Sequence, residues 1–115
     1  MAETFTPDNL IAGDYPAVTE SVTVASGQTL SRGAVLGKVT ATGKVVLSLS
    51  AAADGSQTPY AILAEDVDAS AADQVATAYL SGEFNEGELT FGADHTADTT
   101  RAALRDLGIY LKKAV

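Results

Sequence analysis

Apolar residues along this chain come in short bursts rather than in long helical stripes. Residues 21–25 (SVTVA) alternate polar and apolar, the period of a strand with one wet and one buried face, and Ser26-Gly27-Gln28 then turns the chain. Residues 34–39 are apolar apart from Gly37 and Lys38. Gly33 and Gly37 are placed as a bulge or a close backbone approach would require. Lys38-Val39-Thr40 and Lys44-Val45-Val46-Leu47 flank Ala41-Thr42-Gly43, which predicts a hairpin with a short glycine-containing loop. Residues 50–58 are small and polar and read as a loop. Two further apolar runs, 60–64 and 74–80, flank an acidic loop. Gly82-Glu83-Phe84-Asn85 reads as a turn, leading into a last short run at 88–91.

A helical pattern appears once. Asp98 or Thr99 is placed to cap a helix with apolar positions Ala102, Ala103, Leu104 and Leu107, and Gly108 falls where a left-handed C-terminal cap belongs. Ile109-Tyr110-Leu111 follows as a short closing strand. The expected class is α+β and mostly β: a small single domain of short strands and hairpins with one helix near the C-terminus, preceded by an extended N-terminal arm.

The arm is expected over residues 1–18 and the compact domain over 19–115. The leader contains Pro7, Pro16 and Gly13 and shows no periodic face, yet it keeps Phe5, Leu10, Ile11 and Tyr15. Large apolar side chains each contribute about 1.5–3 kcal/mol only when buried. Either the leader packs on its own domain, or it orders on a partner by adding a strand to a sheet edge.

Composition narrows the function. The chain has 115 residues, enough for one core, and 46% of them are hydrophobic, mostly small, with only 6% aromatic. A thin core of this kind predicts self-association. There is no cysteine, so disulfide and thiolate chemistry are excluded. The N-terminal residues MAETFTPDNL show neither a basic region nor an apolar run, so no secretory signal is expected. No stretch of about 18 apolar residues occurs, so no membrane span is expected. A net charge of −8 argues against nucleic acid or an anionic membrane as partner.

That charge is concentrated in one block. Residues 61–98 carry Glu65, Asp66, Asp68, Asp73, Glu83, Glu86, Glu88, Asp94 and Asp98 with no Lys or Arg, which predicts an exposed, water-facing acidic rim.

Candidate chemistry is sparse. Gly33-Ala34-Val35-Leu36-Gly37-Lys38-Val39 is one residue short of a phosphate loop and has Val39 where Ser or Thr must reach magnesium. A calcium loop begun at Asp66 would need Gly and Glu where Ala71 and Thr77 stand. His95 is the sole histidine, so it cannot build a zinc site without cysteine, and no serine lies in a nucleophile-elbow sequence. Glu83, Glu86 and Glu88 offer paired carboxylates, but a chain with few aromatics has little to line a sugar cleft. No catalytic residue, metal site or cofactor is predicted, and no enzymatic activity.

The run Ala61-Ile62-Leu63-Ala64-Glu65-Asp66-Val67-Asp68, the apolar strand ending in Tyr79-Leu80, and Gly82-Glu83-Phe84-Asn85 together resemble the lambda-type head decoration proteins of tailed bacteriophages. The resemblance extends less specifically to the Pro-containing leader, the early hairpin and the late helix with its short strand. It implies a compact α/β protomer that forms homotrimers on the outer surface of an expanded icosahedral capsid, at threefold and quasi-threefold positions. There the trimers would clamp neighbouring subunits of the major capsid protein against the pressure of packaged DNA. The virion would be its location, after synthesis in the host cytoplasm. The resemblance also implies a leader that is mobile in the free protein and orders on the capsid. Partner binding then falls to Thr4, Phe5, Thr6, Pro7, Leu10 and Ile11, with Tyr15 and Pro16 as the hinge. The alternative of a different class is a small β-rich module binding a ligand or glycan.

Overall fold

A computed structural model describes residues 17–112. Its eight strands are β1 (Val18–Val24), β2 (Gln28–Leu30), β3 (Val35–Lys38), β4 (Val45–Leu47), β5 (Pro59–Leu63), β6 (Val67–Ala69), β7 (Gln74–Asn85) and β8 (Ile109–Lys112). One helix, α1 (Ala97–Asp106), and a 3-10 turn at Glu86–Glu88 complete the domain. The mostly β class with a single late helix is as the sequence predicts.

Five strands close into a small barrel. β1 runs antiparallel to β7, β7 to β5, β5 to β3, and β3 to β4 in the expected hairpin. β4 returns to β1 in parallel through Val24 and Val45. A separate ribbon of β2 and β6 sets Leu30 and Ala69 against the barrel's interior cluster.

The strands at the centre of the barrel are buried on both faces, which is why they read as continuous apolar runs. In β3, Leu36 enters the inner cluster and Val35 an outer one; in β5, Ala61 and Leu63 point in and Ile62 out. The inner cluster is filled by small residues, among them Ala34, Ala61, Ala69, Ala76 and Ala78. A five-stranded barrel has little internal width, and alanines match it. The outer cluster joins Val35, Ile62 and Phe84 to Leu104 of α1 and to Ile109 and Leu111 of β8.

Gly82-Glu83-Phe84-Asn85 is not a turn: β7 continues through it for 12 residues and pairs in parallel with β8, Gly82 opposite Ile109 through Asn85 opposite Lys112. Strict alternation from Ala76 and Ala78 would send Phe84 into the barrel. Instead Phe84 is fully buried in the outer cluster, its ring 5.3 Å from that of Tyr79. The cause is a one-residue bulge: Thr19 faces Tyr79 but Val18 faces Ser81, leaving Leu80 as the extra residue and reversing which side each later side chain takes.

Three other expectations change. Residues 88–91 form no strand, since the 3-10 turn occupies their start and only Thr90 bridges to Ala34. The acidic loop contains β6, which propensity alone did not reveal. The helix begins earlier than expected. Thr96 is its N-cap, accepting from the Thr99 N–H at 3.2 Å, while the Thr99 hydroxyl accepts from the Thr96 N–H at 2.8 Å. Its inward face is Thr100 and Leu104, with Ala102 and Leu107 exposed, and Gly108 follows with φ +85°.

Candidate functional site

The acidic block is more tightly engaged than a solvated rim. Seven of its nine carboxylates are exposed, yet four of those exposed groups secure loops. Asp66 accepts from the Arg32 N–H at 2.9 Å, Asp73 from the Ser26 N–H at 2.8 Å, Glu65 from the Thr77 N–H at 2.8 Å, and Asp68 from the Ser70 N–H at 3.0 Å. Each carboxylate thus satisfies a donor that the strand ladders leave over.

These bonds hold some of the acids ionised. The Lys44 ammonium, then the Ser26 N–H, keep Asp73 below the usual carboxylate range. The Ser70 hydroxyl and N–H do the same for Asp68, and the Ser56 hydroxyl and N–H for Asp54. Since Asp66, Asp68 and Asp73 each serve a different backbone donor, they do not converge. No group of three or more His, Cys, Asp or Glu among the described residues is placed to hold a metal ion.

Glu83 and Glu86 depart from the predicted rim. Their side chains are only 16% and 18% exposed, because the C-terminal elements bring cations onto them. Lys112 of β8 pairs with Glu83. Arg101 of α1 pairs with Glu86 at 2.8 Å and with Asp98 at 3.4 Å, and also donates to the Leu111 carbonyl at 3.0 Å. Glu86, followed by Asp98, raises the Arg101 pKa above its ordinary value. These carboxylates are neutralised supports of the outer layer, not a general acid and base facing a cleft.

His95 approaches Ser48, a pair the sequence did not join. Nε2 lies 3.2 Å from the Ser48 hydroxyl and 3.0 Å from the Gln57 carbonyl. A carbonyl only accepts, so Nε2 carries the hydrogen and has no lone pair for taking a proton from serine. The Ser48 hydroxyl donates to the Ser56 carbonyl at 2.7 Å and is fully buried. The group ties the 50–58 loop to the 92–95 turn. The glycine-containing segment at residues 33–39 is likewise structural. The N–H groups of Gly33 and Val35 bond to the carbonyls of Leu63 and Thr90, leaving no amide nest for phosphate.

The eight residues expected to bind a partner, Thr4, Phe5, Thr6, Pro7, Leu10, Ile11, Tyr15 and Pro16, lie outside the described residues. The point at which that segment joins the domain is described. Ala17 through Ser21 are exposed, and β1 pairs with β7 along one edge only. Among the described residues, β4 reaches its other edge solely at Val24. Ala17 lies against Gly82, the residue at which the pairing of β7 with β1 has ended and its pairing with β8 begins. Large apolar side chains stand exposed at Val18, Leu49, Val75 and Leu107, with Val75 71% exposed at the end of the β1–β7 ribbon. No described helix is long and apolar enough to cross a membrane.

The open β1 edge was missed because alternation reports which face a side chain takes and says nothing about whether the backbone beside it is paired.

No curated protein matches the chain. A model of the bacteriophage lambda head decoration protein D family matches residues 1–110. The chain therefore belongs to the bacteriophage lambda head decoration protein D family, structural proteins of the phage head rather than enzymes.

Proposed function

We propose that this protein binds the outer surface of an expanded icosahedral capsid as homotrimers and stabilises the shell against the pressure of packaged DNA. Family membership makes it a capsid-decorating component of the virion.

The division of labour is a compact domain from residue 19 onward and an arm over residues 1–18. Thr4, Phe5, Thr6, Pro7, Leu10 and Ile11 engage the major capsid protein, with Tyr15 and Pro16 as the hinge. The observation that carries the reading is that the family match begins at residue 1 and so includes the arm. The domain supports it: the described polar clusters are spent on holding loops, and the chain enters β1 through exposed residues beside a strand edge that β4 covers only at its end. Three arms on one trimer gain avidity beyond that of a single arm.

The test is deletion of residues 2–16. The shortened protein should remain a folded trimer and lose binding to expanded, undecorated heads of its own phage. Binding at full strength would refute the arm's role.

A further inference from the structure

Asp54-Gly55 is the one Asp-Gly step in the chain, and there is no Asn-Gly. At such a step glycine has no side chain to shield its amide nitrogen from the aspartyl Cγ. When the nitrogen attacks, the N–Cγ bond forms, water leaves with a carboxyl oxygen, and a cyclic imide results. Water then opens the imide at either carbonyl. Opening on the main-chain side leaves isoaspartate, with the backbone rerouted through Cγ. The reaction needs a free glycine N–H and an uncharged carboxyl, because a carboxylate is a poor electrophile.

The 50–58 loop withholds both. The Gly55 N–H donates to Gln57 Oε1 at 2.8 Å. Asp54 Oδ1 accepts from the Ser56 hydroxyl at 2.5 Å and from the Ser56 N–H at 3.0 Å, which keeps the carboxyl below its usual range and ionised at neutral pH. These two neighbours are themselves fixed. Ser56 is buried with its carbonyl bonded to the Ser48 hydroxyl at 2.7 Å, and the Gln57 carbonyl lies 3.0 Å from His95 Nε2.

From this geometry we propose that Asp54-Gly55 is a backbone-isomerisation site and that Gln57 is the residue that keeps it closed. The step sits at a tight contact. The Asp54 carbonyl accepts from the Thr40 N–H at 2.9 Å, and Gly55, with φ +102°, lies so close to Thr40 and the Lys38 carbonyl that no Cβ fits. Isoaspartate adds a methylene to the backbone at that point, which parts the loop from the β3–β4 hairpin. A virion component is not replaced after assembly, so Gln57 sets how long the loop keeps its place.

Ageing the purified full-length protein at neutral pH, well below its melting temperature, tests this, with isoaspartate at residue 54 quantified in peptides covering the loop. The wild type should isomerise more slowly folded than in urea. Gln57→Leu keeps the bulk and removes the acceptor. Folded, it should isomerise faster than the wild type by about threefold to tenfold, the weight of one net hydrogen bond, while matching the wild type in urea. Its Gly55 amide should exchange with solvent faster by the same factor. Gln57→Glu keeps an acceptor oxygen and should stay near the folded wild-type rate. A folded wild type no slower than its unfolded chain would overturn the closed site. Gln57→Leu at the folded wild-type rate, or Gln57→Glu as fast as Gln57→Leu, would overturn the role of Gln57.

Discussion

Asp73 shows how much a single exposed side chain does in a domain with few aromatics. It accepts from the Ser26 N–H across 47 residues of chain and pairs with Lys44 in the strand hairpin. Its carboxyl therefore ionises at lower pH in the folded protein than in the unfolded chain. The resulting stabilisation is complete above the ordinary carboxylate range, near about pH 4, and is lost as pH falls through the lowered folded value. Asp73→Asn should lower the melting temperature at neutral pH and leave it close to wild type in strong acid. Thermal melts across that range should converge, and parallel curves would show that the carboxylate charge is idle. Gly37 works at the same scale by absence. A Cβ there would run into the Ser56 carbonyl, so only glycine lets the 50–58 loop lie against β3.

At the scale of elements, the C-terminal helix and strand behave as one clip on the outer face of the barrel. Thr96 and Thr99 close the helix start, Leu104 inserts beside Phe84, and Arg101 reaches both Glu86 and the Leu111 carbonyl. Thr96→Ala should cost about 1 kcal/mol in urea denaturation. Because β8 is held partly through α1, the amides of Ile109–Lys112 should exchange faster in that variant. Unchanged exchange there would show that β8 is held by β7 alone. The helix, its terminating glycine and the final strand are legible in the sequence, because Gly108 and the 104-to-109 apolar spacing are local signals. The cap is displaced from the expected Asp98 or Thr99 because three threonines and an aspartate lie between residues 96 and 100, and only tertiary packing of Thr100 and Leu104 selects the register.

The whole molecule has an inner cluster rich in alanine, an outer cluster centred on Phe84, and apolar side chains left exposed at Val18, Leu49, Val75 and Leu107. Small-residue packing buries little area per side chain, which favours assembly as a further source of stability. The purified protein should scatter light as three copies of an 11.7 kDa chain. A mass of one chain at all concentrations would reject the trimer and, with it, the avidity of three arms.

By itself the sequence determined the elements whose signals are local: the hairpin about Gly43, the strands over 60–64 and 74–80, the helix and the strand after it. It also carried the family, through the order of those pieces. The expected arm follows from four large apolar residues in a Pro-broken leader. Only the tertiary structure decided the closure of the barrel, the open edge of β1, and the fate of Gly82-Glu83-Phe84-Asn85. That segment has the composition of a turn, yet it is strand, because α1 and β8 supply an outer core for Phe84 and cations for Glu83 and Glu86. The same contacts turned two rim acids into supports, and a separate approach of the 92–95 turn to the 50–58 loop paired His95 with Ser48. Local composition sets what a segment tends to do, whereas burial against distant residues sets what it does.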